Sequence, residues 1–342
     1  MSSDEKYMRR ALELAALGAG KVAPNPMVGA VVVHNDRIIG EGYHHKYGEA
    51  HAEVNAIQSV ENQSLLSEST IYVSLEPCAH HGKTPPCADL IVEKQLKRVV
   101  IGCGDSFQAV NGKGIQRIKN AGIEVSGFVL EGEARALNKR FFTVQEKQRP
   151  FVVLKWAETR NGLIDSSEGE NGSITWISQP EVQPFVHQLR SENAAILVGK
   201  NTVLKDNPSL TVRAVHGKNP LRVVLDSQCS LPKDSKVLSD GNPTIILNTV
   251  KSEVIGSLSY VQLDEMSPKG ILEALHQRNI QSVFIEGGAS TLQSFIDANL
   301  WDEAIQIIGQ HNFNSGTHAP IIQGTLIDEV NMFGDRIKRY RP

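Results

Sequence analysis

The segment TIYVSLEPCAHHGKTPPCADLIVEKQLKRVVIG, residues 70–102, decides how the first half of the chain is read. Thr70 to Leu75 is an apolar, β-branched run with strand character. Leu90 to Lys97 has helical spacing, and Val99 to Gly102 is again a strand. Strand, loop, helix and strand in that order are the repeating unit of a layered α/β sheet. Upstream, Asp4 to Leu17 places Tyr7, Met8, Ala11, Leu14, Ala15 and Leu17 on one helical face, and Gly18, Gly20 and the Pro24-Asn25-Pro26 turn end it. Val28 to Val33 reads as a buried strand, His34-Asn35-Asp36 as a turn and Arg37 to Tyr43 as the partner strand. Ala52 to Val60 is helical. Downstream the alternation continues with helix Ile115 to Asn120, strand Ile123 to Ser126 and helix Glu131 to Arg140.

Thr143 to Pro150 is polar, charged and closed by proline, so it reads as a linker between residues 1–145 and residues 151–342. A second alternation follows. Its strands are Phe151 to Trp156, Ala194 to Val198, Leu221 to Leu225, Thr244 to Leu247 and Ser282 to Ile285. Its helices are Pro180 to Arg190, Lys269 to Arg278 and Ser290 to Asn299. The tail from Asp328 to Pro342 has mixed character. Two α/β domains also suit a length of 342 residues.

Composition narrows the function classes. Hydrophobic residues at 40% and charged residues at 21% are an ordinary globular balance, which argues against a fibre or a disordered chain. The net charge of −3 offers no basic field for nucleic acid. Apolar runs such as Val28 to Val33 fall far short of the roughly 20 residues that span a bilayer. The N-terminus carries acids and lacks a signal-peptide core. Four cysteines, at positions 78, 87, 103 and 229, are too few for a disulfide framework and fit a reducing cytoplasm.

The chemistry-bearing residues of the first half are His51-Ala52-Glu53, then Pro77-Cys78 and Cys87. One imidazole and two thiolates leave a tetrahedral zinc ion with an open position, the catalytic arrangement. There the metal lowers the pKa of water toward about 7. Glu53, two residues from a ligand, is placed to take that water's proton and pass it to a departing amine. Cys87 opens a helical stretch whose dipole favours its thiolate. A lone His-x-Glu is mostly chance; the ordered His-x-Glu, Pro-Cys and Cys set is the signature of zinc nucleobase deaminases. Cys103 and Cys229 lack partners at ligand spacing and read as buried free thiols.

The stretch Glu76 to Cys87 resembles the deaminase half of the bifunctional riboflavin-biosynthesis deaminase/reductase, the RibD family. The inserted His-x-Gly-Lys-Thr-Pro-Pro between the cysteines is peculiar to that family. Ala23 to Ala30 and Gly42-Tyr-His-His45 are similar to its other N-terminal motifs. The resemblance implies a cytidine-deaminase-like three-layer α/β/α domain. It also implies that Asn25, His44 and His80 meet the pyrimidine or its surroundings, and that Lys83 and Thr84 hold a ribose phosphate. Two departures are visible: Lys83 stands where the family usually has Arg, and Asp105-Ser-Phe-Gln108 where it often has Asp-Pro-x-Pro.

In the second half a strand leads into Glu286-Gly-Gly-Ala-Ser-Thr-Leu292 and a helix. Glycines let the backbone approach a ligand, and free N–H groups at a helix start bind anions, so this reads as a phosphate cradle. It lacks the Gly-x-Gly-x-x-Gly of a dinucleotide-binding Rossmann unit. Lys155 to Gly162 is similar to the RibD strand-end motif, with Thr159, Arg160 and Asn161 in place of Ser, Leu and Asp. Ala194 to Arg213, with a Gly-x-x-Thr turn, Asp206-Asn-Pro and an Arg seven residues after the Asp, resembles the same family's reductase domain, which is similar in fold to dihydrofolate reductase. The resemblance implies NADPH at Ala157, Trp176, Thr202, Asp206, Ser227 and the loop Gly288, Ala289, Ser290, Thr291 and Leu292. It implies substrate at Arg190, Leu210, Arg213 and Glu286, with Ser173 a further contact. Lys155 and Asp206 are candidates to assist protonation. The chain is then expected to be a bifunctional enzyme acting on small phosphorylated pyrimidines, a homo-oligomer with no nucleic-acid or membrane partner. A deaminase acting on tRNA adenosine calls for two-residue cysteine spacing and a basic face, and neither is present.

Overall fold

The computed structural model describes residues 2–80, 85–107, 110–166 and 176–342. The chain divides into two compact units, Met1–Lys147 and Gln148–Pro342.

The first unit runs α1 (Ser3–Ala16), β1 (Gly29–His34), β2 (Arg37–Tyr43), α2 (Ala52–Gln58), β3 (Thr70–Val73), α3 (Cys87–Glu93), β4 (Arg98–Ile101), α4 (Lys113–Asn120), β5 (Glu124–Ser126), α5 (Glu131–Leu137) and α6 (Lys139–Lys147). Among the described residues these strands form one sheet in the order β2-β1-β3-β4-β5. β1 is antiparallel to both its neighbours, and β3, β4 and β5 are parallel. Successive residues of a strand point to opposite faces. Ala30, Val32, Ile71, Val73 and Val99 therefore pack with α2, α3 and α4, while Val31, Val33, Tyr72 and Val100 pack with α1. Both faces are covered, which is why β1 is apolar from Gly29 to Val33 instead of alternating. The result is an α/β/α three-layer unit. Helix α1 starts with a capping box, in which the Ser2 hydroxyl accepts from Glu5 N–H at 3.2 Å and the Glu5 carboxylate accepts from Ser2 N–H at 2.9 Å.

The second unit runs β6 (Phe151–Glu158), α7 (Gln183–Ser191), β7 (Ala195–Gly199), α8 (Lys200–Asp206), β8 (Leu221–Leu225), α9 (Lys236–Ser239), β9 (Thr244–Asn248), β10 (Glu253–Ile255), β11 (Leu258–Gln262), α10 (Pro268–His276), β12 (Ser282–Ile285), α11 (Ala289–Asp297), β13 (Glu303–Ile308), β14 (Thr325–Met332) and β15 (Asp335–Arg341). Its sheet has the order β10-β11-β9-β8-β7-β12-β6-β13-β15-β14 among the described residues. The strands from β11 to β13 in that order are parallel, and antiparallel strands close both edges. Helices α10 and α11 cover one face and α7, α8 and α9 the other. Among the described residues no helix is long and apolar enough to cross a membrane.

Several expectations are corrected. The segment read as a linker is helical as far as Lys147, because Phe141, Phe142 and Thr143 bury one side of α6 while its charges face out. The Gly-x-x-Thr "turn" is the first turn of α8, with Gly199 as its N-cap. Helix α3 opens at Cys87 as expected but stops at Glu93, short of the Lys97 end read from apolar spacing. The tail is a hairpin, β14 with β15, added to the sheet through β13. Cys229 is only partly buried, unlike Cys103.

Candidate active sites

Helix α2 brings the first functional group. Its N-cap is His51, and Glu53 lies in its first turn. The helix lies hard against β2: a Cβ at Gly42 would stand 2.4 Å from Ala56 N and 2.7 Å from Ala52 O. That close approach fixes where the first turn sits, and only glycine allows it. Cys78 follows β3 on the adjacent loop, and Cys87 opens α3.

These elements converge. One ligand atom each from His51, Cys78 and Cys87 falls within 4.8 Å of the others, the sole such set of His, Cys, Asp and Glu among the described residues. His51 Nδ1 is 3.7 Å from Cys78 Sγ and 3.4 Å from Cys87 Sγ. Zinc–sulfur and zinc–nitrogen bonds at a tetrahedral angle put N and S about 3.6 Å apart. The three side chains therefore fit a zinc ion. Beside them Glu53 is 3% exposed. Burial, with the Cys78 charge second, pushes its carboxyl up to about 7.

The start of α3, which Cys87 opens as expected, also reaches Cys78. The Cys87 backbone N–H, the first of α3, donates to Cys78 Sγ at 3.3 Å. Hydrogen bonds from the Cys87 side chain, from His51 and from this N–H, in that order, hold Cys78 well below the ordinary thiol range against burial. The helix start thus serves Cys78 as well as the residue that opens it.

Around this centre His44 is buried and bridges two groups. Its Nδ1 lies 3.0 Å from the Ala50 carbonyl, which can only accept, so Nδ1 carries the proton. Nε2 then accepts from Asn25 Nδ2 at 3.1 Å. Burial lowers the pKa of His44, consistent with this neutral tautomer. Its ring meets the His51 ring edge-on at 5.3 Å. His80 packs edge-on against Phe107 at 5.6 Å. Asn25, His44 and His51 are thus brought together. Lys83 and Thr84 lie outside the described residues.

Two residues not singled out from the sequence build the walls. Glu76 is buried and accepts from the backbone N–H groups of Gly112 and Gly114 at 3.0 Å, Ile115 at 3.3 Å and Asp105 at 3.4 Å. One carboxylate thereby ties Asp105, Gly112 and the first turn of α4 to the residue before Pro77-Cys78. Asn138 exchanges two hydrogen bonds with Met27, both at 2.8 Å, and so fixes the turn that carries Asn25. No local pattern marks Asn138. Glu76 lies in the quoted motif, but its partners are 29 to 39 residues away.

The Glu76 clamp yields a prediction. A Cβ on Gly114 would stand 1.9 Å from the Pro77 carbonyl oxygen. Gly114→Ala is expected to destabilise the first unit by about 1–3 kcal/mol, the usual cost of overpacking, and to lower zinc retention by displacing Cys78. Urea denaturation and metal analysis check it. An unchanged midpoint with full zinc would mean that α4 does not constrain the Cys78 loop.

In the second unit, the C-terminal ends of the neighbouring parallel strands β8, β7, β12 and β6 form one edge. Ligands bind at this edge in open α/β sheets. Ala157 lies near the end of β6, Ser227 follows β8, and Glu286 follows β12. Thr202 Oγ1 accepts from Gly288 N–H at 3.0 Å, joining α8 to the glycine loop. Gly287 has φ +129°, and a Cβ at Gly199 would stand 2.9 Å from Thr291 Oγ1. The N-cap of α11 is Gly288, and no side chain caps that helix. Uncapped N–H groups on a glycine turn fit a phosphate-bearing cofactor. Asp206 ends α8, and burial raises its pKa. Trp176 is 57% exposed and Leu210 is 3% exposed. Ser173 lies outside the described residues.

Lys155 on β6, Arg190 on α7 and Glu286 meet in a buried triad. Glu286 accepts from Lys155 Nζ at 3.2 Å and from Arg190 Nε at 2.8 Å. The two cations hold its carboxyl below the ordinary range against the opposing effect of burial. Arg190 also donates to the Thr211 carbonyl at 3.1 Å, so much of its fork is engaged within the protein. Arg213, by contrast, is exposed.

Comparison with known proteins agrees with this arrangement. Residues 1–103 match the cytidine and deoxycytidylate deaminase zinc-binding region, and residues 150–332 match the RibD C-terminal domain. The chain is 41% identical to the riboflavin biosynthesis protein RibD of Aquifex aeolicus over 92% of this chain and 88% of that one. It is 39% identical to RibD of Bacillus amyloliquefaciens over 96% and 94% of the two chains. The crystal structure of a Thermotoga maritima diaminohydroxyphosphoribosylaminopyrimidine deaminase/5-amino-6-(5-phosphoribosylamino)uracil reductase matches at TM-score 0.89 and 38% identity, covering 99% of both chains. A zinc-binding deaminase unit and a reductase unit in one polypeptide, matched along nearly their whole length, place the chain in the RibD family of riboflavin biosynthesis enzymes.

Proposed function

We propose that residues 1–145 deaminate 2,5-diamino-6-ribosylamino-4(3H)-pyrimidinone 5′-phosphate and that residues 151–342 reduce the ribosyl chain of the product with NADPH. The observation that carries the first step is the convergence of His51, Cys78 and Cys87 beside the buried carboxyl of Glu53. When bound there, zinc makes an attacking water ionisable near neutral pH. Glu53 takes the proton released as the water oxygen adds to C2. It returns that proton to the ring nitrogen of the C2=N bond, then carries the remaining hydroxyl proton to the 2-amino nitrogen, which leaves as ammonia while C2 becomes a carbonyl. His44 and Asn25 orient the ring, with His80 nearby. Lys83 and Thr84 receive the phosphate.

For the second step, NADPH supplies the hydride that reduces C1′ of the opened ribose. The N-cap Gly288 and the first turn of α11, Ala289, Ser290, Thr291 and Leu292, with Thr202, Asp206, Ser227, Ala157 and Trp176, position the cofactor. Arg190, Leu210, Arg213 and Glu286 position the substrate. Lys155, held against Glu286, carries the proton for the ring oxygen or nitrogen of the opening sugar. The family resemblance and the net charge of −3 support a cytoplasmic homo-oligomer that binds small phosphorylated pyrimidines and no nucleic acid.

Metal analysis and both half-reactions on one preparation test this reading. The expected result is about one zinc per chain, ammonia release from the diaminopyrimidine, and NADPH oxidation with the deaminated product. Protein without stoichiometric zinc overturns the deaminase assignment. A second reading, favoured by the altered Lys155 to Gly162 motif, is a deaminase with a binding module. Absence of NADPH oxidation would select it.

A further inference from the structure

Helix α7 carries a second polar residue that the proposed mechanism does not use. His187 lies one turn before Arg190 and is 4% exposed. Its Nδ1 accepts two backbone N–H groups, from Arg213 at 2.8 Å and from Ala214 at 3.3 Å. A ring nitrogen that accepts from amides carries no proton, so the ring is neutral with its proton on Nε2. Burial favours that form. Arg190 on the same helix, Arg213 on the loop and Lys155 on β6 act in the same direction, against Glu286 at the end of β12.

One turn further along the helix, Arg190 donates to the carbonyl of Thr211. A single face of α7 therefore grips the 211–214 segment at three backbone positions. This segment belongs to no helix or strand, so it has no ladder of its own to hold it. Leu210, just before it, is buried and adopts φ +56°. The exposed side chain that the grip presents is Arg213, whose guanidinium donates to Thr211 Oγ1 at 3.2 Å.

We propose that His187 is a positioning residue for the phosphate end of the reductase substrate: its Nδ1 fixes the Arg213 backbone and so aims that guanidinium as an anion clamp. The inference rests on the assignment of Arg213 to substrate made above. Guanidinium–phosphate pairing depends on the direction of the fork, so a loosened backbone weakens phosphate binding more than it slows chemistry.

The test uses the full chain and follows NADPH oxidation with 5-amino-6-(5-phosphoribosylamino)uracil and with its dephosphorylated nucleoside. His187→Asn keeps an acceptor near the Nδ1 position, whereas His187→Gln moves it to the Nε2 position. H187Q is expected to raise KM for the phosphorylated substrate at least about tenfold with kcat within about twofold. With the nucleoside, kcat/KM should stay within about twofold of the parent, and H187N should restore KM for the phosphorylated substrate to within about threefold. An unchanged KM in H187Q, an equal loss on both substrates, or failure of H187N to restore KM would overturn the proposal. Should H187Q lose its fold by circular dichroism, His187→Ala carries the same expectation. Absence of NADPH oxidation by the unsubstituted chain would instead overturn the reductase reading, and this inference with it.

Discussion

Replacing Glu53 by Gln is expected to lower deamination at least about a hundredfold while zinc remains bound. The two substituents are nearly the same size, and Glu53 is buried, so the amide fills the same space at the start of α2. What it cannot do is take a proton. The His51, Cys78 and Cys87 ligand atoms lie within 4.8 Å of one another without help from Glu53, so metal affinity should change little. Burial pushes the carboxyl up to about 7, which suits a group that must accept and then release a proton at neutral pH. Ammonia release and metal content, measured on the same sample, check the prediction. Turnover within tenfold of the parent would remove Glu53 from the mechanism. Loss of zinc would make it a structural neighbour of the site.

The parts of this molecule that were legible in the sequence are those whose signal is local. The strand from Gly29 to His34 is buried on both faces, so its run of valines identifies it without any partner. The zinc set was legible for a different reason. Its three ligands must come from residues of fixed chemistry, and only four cysteines are present to supply the two thiolates. Strands on the sheet margins were not legible. β14 is almost wholly exposed, so no core face imposes alternation on Thr325 to Met332. In β13, the less buried Glu303 and Gln306 are three apart, a helical spacing inside a strand. Helix α6 was lost among its charges because only Phe141, Phe142 and Thr143 face the core.

Convergence over distance was the other blind spot. Glu286 is 131 residues from Lys155 and 96 from Arg190, yet the three form one buried triad. The topology explains it. β6 and β12 are parallel neighbours with Ile285 opposite Leu154, so Glu286 and Lys155 occupy equivalent places on adjacent strands. A sequence reading placed all three residues near substrate or cofactor. It did not foresee that two of them would neutralise the third, which leaves Arg213 as the exposed guanidinium of the set.

Cys78→Ser is expected to abolish zinc binding and to lower deamination at least about a hundredfold, while reduction of supplied deaminated substrate stays within about twofold of the parent. Cys78 Sγ is the most heavily used atom of the centre. It faces His51 Nδ1 at 3.7 Å and receives the first N–H of α3 at 3.3 Å. A serine hydroxyl is a harder donor that keeps its proton at neutral pH and sits closer to its own backbone, so it meets neither the bond length nor the charge that zinc requires. His51 and Cys87 alone leave two ligands, too few to hold the ion against solvent. The residues proposed for reduction, from Lys155 to Leu292, all lie in the unit that begins at Gln148, which has its own sheet and its own two cores. Metal analysis with both half-reaction assays separates the outcomes. Deamination lost with reduction preserved is what two self-contained chemistries require. Equal loss of both would mean that reduction depends on the metal-bearing unit, and the assignment of one reaction to each unit would then have to be withdrawn.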